Sequence, residues 1–418
     1  MKVIVVGKGG REHVLVRSLH DAPSKPEMYC FPGSDGMGDL AQRVDVGSLD
    51  ELIEWMKQEE IDLCVAGEES YLAKGLADRC RERGIRCWGP VQASAQLESS
   101  KIFAKEFMTR NEIPTGGCDV VETPEELRTA VTGYPTVLKY DGLAAGKGVS
   151  VCFDEEQVEA FIADVFNDRK FGEGRVLVEE FLEGKEVSVI AAVADGQVEI
   201  FTPARDYKRQ LDNDEGPNTG GMGAVASRAL IPDAQLKDVE EKIVKPTVEG
   251  LVRDKLDYRG FLYFGIMFTE AGPKVLEYNC RFGDPEAQAI LPLVGGDLTE
   301  FLYEGAAGTL DASKLQFDTS WSICLVLASK DYPYQSGRGE IITGLDEVED
   351  GWVFHAGTAL EGDNFIVNGG RVLSVVCKGA TREEALEKVY REIKKVHFDG
   401  AQHRTDIGRL HFEEIIKV

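Results

Sequence analysis

The sequence contains no CxxC pair, and none of its six histidines stands at metal-ligand spacing. No apolar run approaches the roughly 20 residues that a membrane helix needs. Positive charge is also scarce: 47 Lys plus Arg face 73 Asp plus Glu, a net charge of −26. A field of that sign repels nucleic acid and anionic membrane, so neither is expected as a partner. Any anionic substrate must be drawn in by a local basic or amide-rich pocket. Nine cysteines (Cys30, Cys64, Cys80, Cys87, Cys118, Cys152, Cys280, Cys324, Cys377) are scattered and mostly apolar in context. They are expected to be free, buried thiols, with no zinc site and no disulfide framework. The N-terminus enters a strand directly, without the longer apolar region of a signal peptide, and a cytoplasmic location is expected. Hydrophobic residues at 43% and charged residues at 29% exclude a mainly disordered chain. At roughly 150 residues per domain, 418 residues suggest two to four domains.

The first hundred residues alternate strand and helix signals. Apolar runs at 3–6, 63–66 and 85–87 read as buried strands, and 11–20, 49–58 and 72–83 as helices. Ser48 and Glu51 form a capping box for the second of these. Near-continuous apolar strands between helices predict an open parallel α/β domain. Beyond residue 100 the texture becomes α+β. A helix carries Lys101 and Lys105, Thr123-Pro124 starts another, and strands at 137–139 and 149–151 flank a glycine-rich turn. Two hairpins follow, 187–193 with 198–201 and 260–268 with 274–278, so antiparallel strands dominate there. A last mixed α/β unit has strands at 323–328, 351–358 and 372–378, a helix over 381–395 and a final strand near 410–415.

Five segments carry chemistry. Gly7-Lys8-Gly9-Gly10-Arg11-Glu12 sits where a dinucleotide fingerprint would, but Glu12 replaces the third glycine. It reads as a phosphate cradle or a plain tight turn. The run DGLAAGKG at 141–148 fails the P-loop spacing and joins two strands, so it reads as a hairpin loop folding over phosphates or a bare surface turn. VEEFL at 178–182, followed by Glu186, is a strand edge able to read adenine and ribose, or an acidic solvated turn. Asp206-Tyr207-Lys208-Arg209 precedes PNTGGMG at 217–223, an amide-rich loop beside two cations that suits an anionic small molecule. The segment from Lys274 to Glu286 is the sharpest. Alternation puts Glu277 and Asn279 on one strand face, about 7 Å apart, as an oxygen pair for Mg²⁺, with Arg281 following on the same face.

The ordered blocks GKGGREH, SSK, LKYDGLAAGKGV, VEEFLEG, DYKR, GPNTGGMGA, LEYNCRFGDPE, FHAGT, NGGRVL and RTDIG resemble the glycinamide ribonucleotide synthetase family of the ATP-grasp superfamily over essentially the whole chain. The resemblance implies an N-terminal α/β domain (1–100), an ATP-grasp small lid domain (101–186), a central domain with the metal site (187–321) and a C-terminal domain (322–418). It implies a carbon–nitrogen ligase of purine biosynthesis that joins glycine to 5-phosphoribosylamine through glycyl phosphate. ATP would be co-substrate, Mg²⁺ or Mn²⁺ the cofactor, and the enzyme a monomer. Lys101, Lys139, Gly142, Gly146, Lys147 and Gly148 would meet the ATP phosphates. Glu179, Glu180, Phe181, Leu182 and Glu186 would hold adenine and ribose. Glu277 and Asn279 would bind the metal. The substrates would be surrounded by Gly9, Gly10, Arg11, Asn218, Thr219, Gly220, Gly221, Met222, Gly223, Gly283 and Asp284, with Arg281, Lys208 and Asp206 catalytic. The chain departs from the family pattern at GEESYL (67–72), where G-P-E-x-P-L is usual, and at Tyr207, where histidine is usual. Another acid–amine ligase of the same superfamily, a non-catalytic nucleotide-binding protein and a nicotinamide oxidoreductase are the alternatives.

Overall fold

The computed structural model describes residues 1–144 and 148–409. Three sheets organise them. The first is fully parallel, in the order Gln42–Arg43, Glu27–Pro32, Lys2–Gly7, Leu63–Ala66, Arg86–Trp88. Its central strands are apolar throughout because helices cover both faces. Helix Leu49–Gln58 begins as its sequence dictates, with Ser48 Oγ accepting the Glu51 N–H (3.2 Å). Glu51 reaches back one residue further than a capping box requires, to the Gly47 N–H (2.8 Å). The single helix expected over 72–83 is two, Glu69–Ala73 and Leu76–Glu82. Gly75 separates them at φ +78°, a conformation L side chains rarely adopt, and that breaks the helix.

The second sheet is antiparallel, ordered Cys118–Val121, Val176–Glu180, Thr136–Tyr140, Val149–Cys152. It packs on helices Pro124–Ala130 and Glu155–Ile162, capped by Thr123 and Asp154, around a core of Leu127, Leu138, Val158 and Val176. The third is a nine-stranded antiparallel sheet. From the edge Gly272–Asn279 it runs through Arg259–Thr269, Lys185–Ala194, Ala204–Asp206, Gly223–Ala226, Trp321–Ala328 and Arg371–Gly379 to Trp352–His355. Asp195 and Gly196 turn its first hairpin with φ of 47° and 86°, as a tight primed turn requires. Gly223 pairs with Leu325, so residues on both sides of 321 share one sheet.

The strand expected over 351–358 is interrupted. Trp352–His355 stays in the large sheet, while Thr358–Glu361 joins a small one with Asn364–Gly369. The strand expected near 410–415 lies outside the described residues. Among the described residues, no helix is long and apolar enough to cross a membrane. Among the contacts that tie the first sheet's layer to the third, two are aromatic or imidazole junctions. His355 N–H donates to His13 Nδ1 (2.9 Å), and burial pushes these imidazoles down to about 4 and about 3, so both are neutral. Trp88 stacks edgewise on Phe261 (5.3 Å), which meets Phe282 (4.3 Å) just beyond the edge strand. Phe261→Ala should therefore destabilise the protein by about 3–5 kcal/mol, read as a lowered urea midpoint, by opening a cavity at this junction.

Candidate active site

A cavity of about 430 Å³ opens where the three sheets meet. Its cationic wall comes from helix Lys101–Arg110 and strand Thr136–Tyr140. Lys101 Nζ donates to Gly142 O (2.9 Å), and Lys139 Nζ to Leu276 O (3.1 Å). Glu179 does not face outward from its strand edge. Its Oε2 sits 2.9 Å from Lys139 Nζ and 3.2 Å from Lys105 Nζ, a buried carboxylate shared by two ammonium groups. Gly142 and Gly148 also line the cavity, whereas Gly146 and Lys147 lie outside the described residues.

Opposite stands the edge strand Gly272–Asn279. A bulge beside Gly265 and Ile266 leaves Glu277 opposite Gly265 and Asn279 opposite Tyr263, and both side chains reach the cavity. Burial pushes the Glu277 carboxyl up, but Lys208, Lys139 and Lys101 overcome this and hold it below its ordinary value, so it is ionised. The Asn279 amide nitrogen donates to Glu98 Oε1 (2.9 Å) and Tyr278 O (3.3 Å), which turns its oxygen the other way. An ionised carboxylate and an amide oxygen fit a hard divalent cation.

Arg281 is fully engaged. Its Nη2 lies 2.7 Å from Glu98 Oε1, its Nε 3.2 Å from Glu69 Oε2, and its Nη1 donates to Phe282 O (3.2 Å). Arg11 reaches the same place, pairing with Glu12 (2.6 Å) and Glu69 (3.6 Å) and donating to Phe282 O (3.2 Å). Arg281 and Arg11 overcome burial at Glu69 and hold it down to about 2. Burial dominates at Glu98, which the neighbouring Glu69 helps push up to about 7 against Arg281. The Gly9 amide is not open to a ligand, since it donates to Glu12 Oε2 (2.6 Å).

Asp206 and Lys208 line the third wall. Burial raises Asp206 to about 8 against the pull of Lys208, with Glu286, Glu186 and Glu277 adding to the rise. Lys208 Nζ pairs with Glu186, so Glu186 holds a lysine at the cavity's edge. Asn218, Thr219 and Gly220 line the mouth, where Arg371 Nη1 donates to Gly220 O (2.5 Å) and Asp284 O (2.7 Å). Arg371 also pairs with Asp284 (3.3 Å), and Gly283 lies beside it on the wall.

The residues expected at the site thus divide. Arg11, Lys101, Lys139, Glu179, Asp206 and Lys208 line the cavity, as do Asn218 to Gly220, Glu277, Asn279, Arg281, Gly283 and Asp284. Gly9, Gly10, Gly221, Met222 and Gly223 are outside its lining, as are Glu180, Phe181, Leu182 and Glu186. Glu180 accepts from Gly117 N–H (3.2 Å), and Leu182 is buried. Sequence reasoning passed over Glu98, Glu286 and Arg371. Arg371 had a signal in the NGGRVL block; Glu98 had none, being an ordinary acidic residue on the short helix Gln96–Ser99. The two departures resolve differently. GEESYL supplies Glu69, whereas the Tyr207 hydroxyl accepts from Gly408 N–H (3.0 Å), away from the cavity.

Models of the phosphoribosylglycinamide synthetase N domain, ATP-grasp (A) domain and C domain match residues 1–98, 99–287 and 322–410 in turn. The chain belongs to the phosphoribosylglycinamide synthetase family. Within that family it is 41% identical over 414 residues to the phosphoribosylamine–glycine ligase of Caldanaerobacter subterraneus subsp. tengcongensis, covering 98% of this chain and 99% of that one. The corresponding protein of Neisseria meningitidis serogroup B is 40% identical over 417 residues, at 98% and 99% coverage. The crystal structure of phosphoribosylamine–glycine ligase from Thermotoga maritima superposes with a TM-score of 0.85 at 35% identity, covering 97% of this chain and all (100%) of that one. The biotin carboxylase domain of Hydrogenobacter thermophilus 2-oxoglutarate carboxylase, solved with MgADP and bicarbonate, shares the fold (TM-score 0.74, 19% identity, 96% and 91% coverage).

Glu98 gives this phosphoribosylglycinamide synthetase site a pH signature. Its folded value of about 7 lies above the ordinary 4.5, so the folded chain keeps a proton that the unfolded chain has lost. That contribution is complete below about 4.5 and disappears as pH rises through about 7. Thermal unfolding between pH 5 and 8 should show wild type losing stability relative to Glu98→Gln. A constant difference between the two would refute the assignment.

Proposed function

We propose that this chain joins glycine to 5-phospho-D-ribosylamine at the expense of ATP, giving glycinamide ribonucleotide, ADP and phosphate in purine biosynthesis. The observation that carries this reading is one cavity in which the Glu277–Asn279 oxygen pair, Lys101 and Lys139, and the Arg281 cluster converge. A carboxylate is a poor electrophile, so glycine is first phosphorylated by ATP. The amine then attacks glycyl phosphate, forming the amide and releasing phosphate.

Glu277 and Asn279 would hold Mg²⁺ or Mn²⁺, which when bound neutralises phosphoryl charge and orients the transferring group. Lys101 and Lys139 offset the charge of the ATP phosphates from the opposite wall, and Gly142, Gly146, Lys147 and Gly148 would contact the same phosphates. Arg281 grips the glycine carboxylate: when Glu98, near neutrality in its titration, takes up a proton, the Nη2 end of the guanidinium is freed for the substrate while Nε stays on Glu69. Asp206, raised to about 8, is protonated near neutral pH and presents a neutral carboxyl to the substrates, while the released phosphate can take the proton that the attacking amine loses. Asn218, Thr219, Gly220 and Asp284, with Arg371, surround the phosphoribosylamine. Glu179, Glu180, Phe181, Leu182 and Glu186 form the side on which adenine and ribose rest. No protein nucleophile is needed, and fixed geometry can contribute roughly 7–11 kcal/mol. Soluble substrates fit a monomer acting in the cytoplasm.

The test is turnover with ATP, Mg²⁺, labelled glycine and phosphoribosylamine generated from ribose 5-phosphate and ammonia. Label should enter a phosphorylated amide with one ADP per product; ADP without labelled product would assign another acid or acceptor. Glu277→Ala should abolish turnover while leaving the unfolding midpoint unchanged. Activity within a few-fold of wild type at saturating Mg²⁺ would remove Glu277 from the metal site.

A further inference from the structure

Eight of the nine cysteines are buried, as expected, and Cys118 is exposed. Three of them are not scattered. Cys64 and Cys87 are register partners on the neighbouring parallel strands Leu63–Ala66 and Arg86–Trp88. Cys80 comes down on them from helix Leu76–Glu82. Their sulfur atoms lie within 4.8 Å of one another, and all three residues have 0% exposure. A metal–sulfur bond of about 2.3 Å places the sulfurs of a trigonal set about 4 Å apart, which this spacing accommodates. Leu72, Leu76, Ala77 and Ile85 belong to the same apolar cluster. Among the described residues, no histidine or carboxylate joins the group.

We propose that Cys64, Cys80 and Cys87 form a trigonal thiolate site for a soft, thiophilic d¹⁰ cation of the Cu⁺, Cd²⁺ or Hg²⁺ class. Soft sulfur donors select such ions over hard ones, and structural zinc calls for a fourth ligand. Charge is accommodated best for the divalent members of the class. Three thiols binding a divalent ion release three protons and leave one net negative charge in the core. Arg81 lies close enough to act electrostatically on Cys80 and Cys87. Its buried Nε has no hydrogen-bond partner, while Nη1 pairs with Asp257 (2.5 Å). Arg81 thus brings positive potential to the cluster, shared with its Asp257 partner. The three cysteines are outside the ligase cavity, so this proposal and the function proposed above stand or fall separately.

The test is Cd²⁺ titration of the full chain, reduced with a phosphine rather than a thiol, followed by the ultraviolet thiolate-to-cadmium charge-transfer band. Carboxylate-bound Cd²⁺ gives no such band, so the cavity is silent. The expected result is one equivalent per chain, with affinity rising up to about 1000-fold per pH unit while three thiols deprotonate. Cys80→Ala, on the helix, and Cys87→Ala, on the strand, should each lose the band or weaken it at least 100-fold. Cys118→Ser should keep it. Absence of the band in wild type, or its persistence in either folded variant, would show that the three thiols only pack.

Discussion

The site depends on the guanidinium of Arg281. It emerges just past the edge strand of the large sheet and is met by Glu98 (2.7 Å) and Glu69 (3.2 Å), both from the first hundred residues. Arg11 adds a second cation against the same Glu69 and shares the Phe282 carbonyl with Arg281. Buried charges are costly unless each finds a partner, and removing one member leaves another uncompensated. The parallel sheet and the strand that carries Glu277 and Asn279 are thereby fixed to each other at the cavity wall. Glu98 reinforces the junction by accepting the Cys280 N–H (2.7 Å).

The opposite wall follows the same logic with the signs exchanged. Lys105 and Lys139 would repel each other in a dry pocket, and the Glu179 carboxylate between them removes that cost. The chain carries a net charge of −26, yet Lys101, Lys105, Lys139 and Lys208 line one cavity. Overall charge therefore says little about the ligand, because a cavity of low dielectric answers to the groups within a few ångströms.

This contrast explains what the sequence could disclose. Helix starts at Ser48 and Thr123, the Asp195-Gly196 turn and the alternation placing Glu277 and Asn279 together are local patterns, readable residue by residue. The continuity of the large sheet through Gly223 and Leu325 joins strands about one hundred residues apart, and no local pattern encodes it. Glu98 and Glu69 are unremarkable acids until the fold sets them beside Arg281. The strand edge carrying Glu179 is visible in the sequence, but the two lysines on either side of its carboxylate are not. The three clustered thiols are likewise separated in sequence and brought together by one strand pair and its covering helix.

Three carboxyl groups on one cavity thus hold widely separated proton affinities: Glu69 about 2, Glu98 about 7, Asp206 about 8. Chemical identity cannot cause this, since all three share the same functional group. Glu69 is low because two guanidinium groups face it, whereas Glu98 and Asp206 are high because burial, with neighbouring carboxylates, outweighs Arg281 and Arg11 at Glu98 and Lys208 at Asp206. The consequence concerns ligand charge. An anion entering beside an ionised carboxylate would meet repulsion, but beside Glu98 or Asp206 a proton drawn from solvent near neutral pH cancels it. The cavity can therefore admit several anionic groups without carrying a matching surplus of arginine and lysine. An acidic chain is in this way compatible with a polyanion site.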